Sequence, residues 1–519
     1  MRNTLIGFLI AVSTCVFSQK NELPVLNKDK NLGKNLITNT EITGSEYIFP
    51  DRIQETYLDT VSGFLTVQTR GLSKNGKWLD NTGNILLYDL NKRTLKWSRK
   101  IAYQVSSLQQ FSNTIIYTAA KKSYCLDINS GAELWEVKNN IYFVDPIENI
   151  GIGYRFKGST GYSNELEGIN LANGDVLWKK MLIREYGWND LFYLNDSTLL
   201  VVASGLHAIN LKNGTGWDYH TITGKNDYTG TAIANAAGVA AGLLTGTFLM
   251  STGHNVVRDI VSNVLADSTD LYFSSREKLS RIDKQTGNVI WSHPFPNDLP
   301  SKSSIFFNDS LVFMINRGYA FMGYRKLDFG KPFIAAFDKN TGKQVFLTLI
   351  DGKEDQVLGF KIKENELYLV FKNRMSKYSK SSGNLITEKT FSAEEFGELN
   401  NFIGNQVYIN DENNSFFCLP ESDTTKVFVF TNNNKILAVD SQLNVTKTID
   451  YEDLSIYYLR SDDYKFIAKE NKTWILDQNG LKVAEVEATS KAFLIGKTLY
   501  DQQNDSFIAI DLTEVLKKQ

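Results

Sequence analysis

Four histidines, His207, His220, His254 and His293, are all the imidazole this chain of 519 residues has to offer for acid–base or metal chemistry. None stands in an H-x-x-x-H pair or a comparable ligand spacing, so the sequence gives no zinc or iron site. Cys125 and Cys418 lie far apart, in the strand-like runs SYCLDI and SFFCLP, and read as small buried hydrophobes. No G-x-S-x-G elbow or Cys–His pairing marks a hydrolytic nucleophile. The acidic clusters Asp351-Gly-Lys-Glu-Asp355 and Asp411-Glu-Asn-Asn414 lack the alternating ligands of a calcium loop and read as solvated turns. The basic turn from Arg317 to Arg325 carries Tyr319, Phe321 and Tyr324 and is a candidate binding rim.

The most unusual stretch is not catalytic in type. From Tyr228 to Val257 there is no Asp, Glu, Lys or Arg, and Gly238, Gly242 and Gly246 recur every fourth residue in TAIANAAGVAAGLLTGTFLM. That spacing lets helices approach closely. Gly238, Gly242 and Gly246, with Leu243, Leu244 and Phe248, are the candidate partner-binding residues. Further on, Val256, Val257, Ile260, Val261, Val264 and Leu265 fall at helical spacing behind Asn255 as N-cap. The segment 221–266 is therefore predicted to be a helical hairpin. Three readings of it stay open: packing on the chain's own body or in a channel, docking to a protein partner, and peripheral membrane contact through 231–250.

The elements that must position this segment come from a repeat. An apolar strand ends in Asp or Asn, a polar turn with Gly follows, and the next strand reaches an aromatic. LLYDLNKRTLKW (86–97), YCLDINSGAELW (124–135), EGINLANGDVLW (167–178), HAINLKNGTGW (207–217), SRIDKQTGNVIW (280–291) and AAFDKNTGKQVF (335–346) are the strong copies. Weaker ones are 376–387, 437–448, 474–485 and 508–519. Asp89 to Trp97, Asp127 to Trp135, Asn170 to Trp178, Asp283 to Trp291 and Asp338 to Phe346 share one spacing. Each copy is predicted to be a β-hairpin, the Asp or Asn bonding into the turn and Gly supplying its positive φ. A further strand precedes most copies, as in NTIIYTAA and STLLVVAS. Four strands per unit at this repeat length describe a propeller blade.

The D-x-x-x-G-x-x-x-W copies resemble the β-propeller repeat named after pyrroloquinoline quinone enzymes, over about residues 46–519. The resemblance implies an all-β chain, a single β-propeller of four-stranded blades. Eight blades are expected, seven being the alternative, with surplus C-terminal copies as extra hairpins. GFLTVQTR (63–70) is the candidate for closing the ring against the C-terminal strands. The intervals between the first four turn signals are 38, 43 and 40 residues and the next is 73. The charge-free segment falls in that excess. A single membrane crossing there would divide the blades between two compartments, so a simple span is ruled out.

The quinone enzymes of this superfamily carry an adjacent Cys–Cys pair, calcium ligands and a catalytic Asp. This chain has no motif onto which they map, so no quinone or other cofactor is expected. The resemblance points instead to outer-membrane assembly propeller lipoproteins, which bind a component of the β-barrel insertion machinery through loops and edges.

The ends and the composition agree with export. MRNTLIGFLIAVSTCVFSQK reads as a signal peptide cleaved after Ser18, leaving 19–45 as a polar N-terminal linker. Lipid attachment at Cys15 is the alternative, although Val12-Ser13-Thr14 fits that signal poorly. A net charge of −2 gives no basic field for nucleic acid. Aromatics at 12% against 8 Pro favour strands. The expected function is an exported, non-catalytic propeller acting as a protein-interaction scaffold in the periplasm or at the outer membrane, with an envelope or outer-membrane protein as partner. The alternative is a small-molecule or carbohydrate-binding module, or an enzyme, with its site in the central channel.

Overall fold

The computed structural model describes residues 25–102, 107–111, 114–119, 121–157, 161–183, 190–222, 224–226, 256–322, 325–350, 355–403, 407–410, 416–419, 424–450, 454–461 and 463–517. Almost everything in them is antiparallel strand; the one described helix is Ala393–Phe396.

Nine of the ten turn signals close a strand pair along the chain; the tenth, at Asp511, ends a strand whose neighbour is Glu41–Ile48. Asp127 Oδ1 accepts the N–H groups of Asn129 and Ser130 at 3.1 and 2.8 Å, and Gly131 N–H returns to the Asp127 carbonyl at 2.9 Å. Asp283, Asp338 and Asn210 repeat the arrangement. The side chain satisfies donors that the reversing backbone would otherwise leave open, which is why Asp or Asn ends the third strand.

Sheet 1 consists of Arg52–Asp59, Phe64–Leu72, Leu79–Asp89 and Thr94–Ala102, paired in chain order. Sheets 2, 3 and 4 follow the same order over 107–137, 139–181 and 190–220. Sheets 5 to 8 cover 265–294, 303–349, 359–390 and 399–450, the sixth and eighth each interrupted by an inserted hairpin. Sheet 9 spans 454–486. Sheet 10 takes three strands from 493–511 and its fourth, Glu41–Ile48, from the N-terminal side. Leu26–Asn35 pairs with both Glu41–Ile48 and Lys482–Val486, fusing sheets 9 and 10.

Every sheet packs on the next through its own apolar cluster. Ile85, Leu87 and Ile115 join sheets 1 and 2. Leu166 and Leu199 join 3 and 4, and Leu206 and Phe273 join 4 and 5. Leu32, Ile475 and Ile508 join 9 and 10, and Tyr47, Leu65 and Phe507 return the tenth sheet to the first. Each fully buried aliphatic contributes roughly 1.5–3 kcal/mol relative to exposure. The chain is thus a closed β-propeller. The first strands of neighbouring sheets touch one another, as at Tyr57, whose hydroxyl donates to the Leu108 carbonyl at 2.7 Å. The fourth strands, such as Val289–Pro294 and Leu385–Thr390, are mostly exposed. First strands therefore line the axis and fourth strands the rim.

Four expectations change. In place of the expected eight blades with extra hairpins, the strands of the described residues group into ten four-stranded units, two of them fused in one eleven-stranded sheet. The weak copies lack the aromatic, but the turn needs only its Asx group: Asp440 Oδ1 still accepts Gln442 N–H at 2.8 Å. Residues 19–45 are not all linker, because 26–35 and 41–45 lie in strands. Ring closure comes from Glu41–Ile48; Phe64–Leu72 is an interior strand of sheet 1. Finally, the helix expected after Asn255 is replaced by the strand Val256–Arg258, a bend, and Leu265–Ala266. Asp259 at φ 62° breaks helical continuity. The apolar spacing arises because Val257 and Ile260 pack with Ala320 while Val261 joins the core between sheets 4 and 5.

Candidate binding end of the ring

Within any sheet the strands alternate direction. Links from first to second and from third to fourth strand therefore lie at one end of the ring. Links from second to third strand, and from each sheet to the next, lie at the other. The short Asx turns occupy the first end. The second end carries the segment between sheets 4 and 5, the hairpin inserted in sheet 6 and a projecting hairpin in sheet 1, while the hairpin inserted in sheet 8 leaves from the first end.

Two of these excursions meet. Lys225–Asn226 pairs with Val256–Arg258, which pairs with Tyr319–Met322, which pairs with Arg325–Asp328. This four-stranded accessory sheet belongs to no blade. Lys225, Val257, Met322 and Arg325 lie in one cross-strand row, and Arg258, Phe321 and Lys326 in the next, on the opposite face. Val257 and Ala320 are buried with Ile260, Leu327 and Phe329, which fixes the sheet to the ring. Gly318 admits the hairpin: its φ is 75°, and a Cβ there would stand 2.8 Å from the Asp355 carbonyl oxygen.

The sheet is cationic and aromatic. Lys326 Nζ lies 4.6 Å from the Tyr319 ring centroid, and burial lowers its pKa. Lys302 Nζ sits 5.6 Å over Phe321 and 3.5 Å from Asp259. Arg317 donates to Ser304 Oγ and to the carbonyls of Val357 and Leu358, tying sheet 6 to sheet 7. Of the basic turn noted in the sequence, Tyr319, Phe321 and Arg325 are in this sheet, while Tyr324 lies outside the described residues.

The six candidate partner-binding residues, Gly238, Gly242, Gly246, Leu243, Leu244 and Phe248, also lie outside the described residues, as does His254. What the structure supplies is their root, the Lys225–Asn226/Val256–Arg258 pair.

The groups with chemical potential elsewhere have structural partners. His207 is buried with Nδ1 2.7 Å from Asp218 Oδ1 and Nε2 2.8 Å from the Ala203 carbonyl, and burial lowers its pKa. Lys180 also meets Asp218, at 3.1 Å. His293 packs on Phe295 and Phe337. Burial pushes the Cys125 thiol up to about 12, and Cys125 and Cys418 form no disulfide with each other. Asp355 pairs with Arg374 at 2.5 Å. Among the described residues no three His, Cys, Asp or Glu side chains gather as a metal site. No described helix is long and apolar enough to cross a membrane.

The hairpin in sheet 6 escaped the sequence reading as a partner of the earlier insertion. Its signal was the extra length between LVFMIN and FIAAFD, whose two strands are direct neighbours.

No family model and no curated protein sequence matches the chain. Solved structures do. BamB from Moraxella catarrhalis aligns at TM-score 0.33 and 11% identity, over 73% of this chain and 96% of its own. AztD from Citrobacter koseri aligns at 0.30 and 10%, over 71% and 92%. A europium-containing methanol dehydrogenase aligns at 0.27 and 10%, over 73% and 84%. Scores and identities this low carry no argument about activity, and the matched proteins include an enzyme. The likeness to the pyrroloquinoline-quinone type of propeller is one of fold, and it rests on the sheets themselves.

Proposed function

We propose that this chain is an exported, non-catalytic propeller that serves as a protein-interaction scaffold in the bacterial cell envelope, engaging an envelope or outer-membrane protein through the end that bears the accessory sheet. One observation carries the reading: two insertions, 221–266 and 317–332, leave different sheets and combine into a structure no blade requires. Loops on a rigid ring are where recognition surfaces are built. Among the described residues, His207 and Asp355 are held in pairing roles and His293 and Cys125 in packing roles, which supports a binding reading over catalysis.

Replacing 228–254 by a short Gly/Ser turn tests this. The Lys225↔Val257 and Asn226↔Val256 register already forms a hairpin base that such a turn can close. Capture from envelope extracts is expected to lose a specific protein that the intact chain retains. Identical captured proteins from the two chains would refute the reading.

A further inference from the structure

The second-to-third strand link of sheet 1 is the other excursion at the binding end. Phe64–Leu72 and Leu79–Asp89 run past both neighbours: pairing to the first strand stops at Arg70 and to the fourth at Thr82, while Leu72 still pairs with Leu79. The tip therefore projects by about 10 Å at strand rise. It is also ordered. Ser73 N–H donates to the Trp78 carbonyl at 2.8 Å, Gly76 N–H to the Ser73 carbonyl at 2.7 Å, and Lys77 N–H to Asn75 Oδ1 at 3.1 Å. This brace holds Trp78 72% exposed and Leu72 54% exposed, beside Lys74 and Lys77. A large indole fixed in water at a rigid tip has no packing role within the ring.

The hairpin of sheet 6 carries the half-buried Phe321 and Met322 on one strand and Arg325 and Lys326 on the other. Four sheets lie between the two hairpins on either side of a ring of ten, so they stand at opposite sides of the same end. Two hairpins that combine apolar side chains with cations, on opposite sides of one end, fit an extended plane rather than a localised partner. The other end also exposes single aliphatics, Val61 and Ile147, but beside the carboxylates Asp59, Asp145 and Glu148.

We propose that the ring rests by this end on an anionic lipid surface, Trp78 and Leu72 entering the headgroup region on one side and Phe321 and Met322 on the other, with Lys74, Lys77, Arg325 and Lys326 meeting lipid phosphates. Trp at the interface and Lys or Arg at the phosphates are the side chains this environment favours. The inference goes beyond the scaffold reading and does not depend on any protein partner.

Co-sedimentation of the purified chain with vesicles of phosphatidylethanolamine and phosphatidylglycerol tests it. The chain is expected to bind, and to bind vesicles of neutral phosphatidylcholine at least tenfold more weakly. Lys74→Ser/Lys77→Ser/Trp78→Ser is expected to reduce binding about tenfold or more, Arg325→Ser/Lys326→Ser likewise, and the combination to abolish it. These exposed positions leave the thermal midpoint unchanged, which separates lost binding from lost fold. Unchanged sedimentation of the combined variant, or no sedimentation of the intact chain, would overturn the proposal. Loss of a captured envelope protein in the tip variants without vesicle binding by the intact chain would assign the tips to a protein partner and overturn it as well. Failure of the 228–254 replacement to lose a partner would leave this result standing.

Discussion

An indole on one sheet and a glycine on the next recur at five consecutive joints of the ring. Trp97, Trp135, Trp178, Trp217 and Trp291 each donate Nε1–H to the carbonyl just after the next turn's Asx residue, at 2.6–3.2 Å. Each ring also lies against that turn's glycine. At Gly214, φ is 71° and a Cβ would stand 2.7 Å from Trp178. The eight-residue spacing in the sequence thus encodes contact with the neighbouring sheet as well as a local turn. Phe346 lacks the donor, and Thr348 Oγ1 supplies it instead, to the Gly383 carbonyl at 2.9 Å. Trp178→Phe is expected to cost about 1 kcal/mol, the net worth of one hydrogen bond. Gly214→Ala is expected to cost more, about 1–2 kcal/mol for the left-handed backbone alone, with the clash added. Urea denaturation midpoints measure both, and equal midpoints for Gly214→Ala and the parent would refute the joint. Asp267 ties sheets 5 and 6 in a different way. Burial alone would raise its pKa, but the N–H groups of Asp270 and Thr269 and the Lys339 ammonium outweigh it and hold the carboxyl at about 2. A depressed carboxylate pKa stabilises the fold above the unfolded value near 3.8, and this stability is lost as pH falls from there towards 2. Asp267→Asn is expected to flatten the acid limb of the thermal midpoint against pH in that window. A limb as steep as the parent's would show that the group is not linked to folding.

At the scale of elements, two predictions follow from where strands end. Glu41–Ile48 is paired on both sides, Glu46 lying opposite Lys28 and Ile508. Glu46→Pro removes an amide hydrogen from the closing strand and is expected to destabilise by about 3 kcal/mol or more. Limited proteolysis should then cut within 25–49, with Glu46→Ala protected like the parent; equal resistance of Glu46→Pro would mean that this strand does not close the ring. Replacing 228–254, by contrast, is expected to leave the thermal midpoint within a few degrees, since the hairpin base and the Val257–Ala320 contacts remain. A large drop would make the segment part of the core. Much of this organisation was legible in the chain: nine of the ten turn signals stand at a third-to-fourth strand turn, eight of these with Asp or Asn and seven with Gly. What was not legible depends on distant partners. Glu41–Ile48 has no turn signal because its partner is Ser506–Asp511, and Val256–Leu265 mimics a helix because two separate cores claim its apolar residues. The accessory sheet was invisible for the same reason, its strands being about sixty residues apart along the chain.

For the molecule as a whole, the number of sheets decides the geometry of function. Ten sheets joined in sequence, with the tenth on the first, place the hairpins of sheets 1 and 6 at opposite sides of one end, with the accessory sheet beside the second. Seven or eight blades would break that symmetry and the planar contact inferred from it. Closure gathers the first-strand edges around the axis, away from other molecules, and leaves the fourth strands as the edges exposed at the rim. The Val407–Asn410/Phe416–Leu419 hairpin extends sheet 9 beyond its axial strand, where a ring this wide has room for it. Electron-microscopic class averages of the purified chain, viewed down the ring axis, test the account most directly. Ten spokes in a closed ring, with extra density at one end beside the fourth to sixth spokes, are the expected result; a ring of seven or eight spokes, or an open arc, would contradict it.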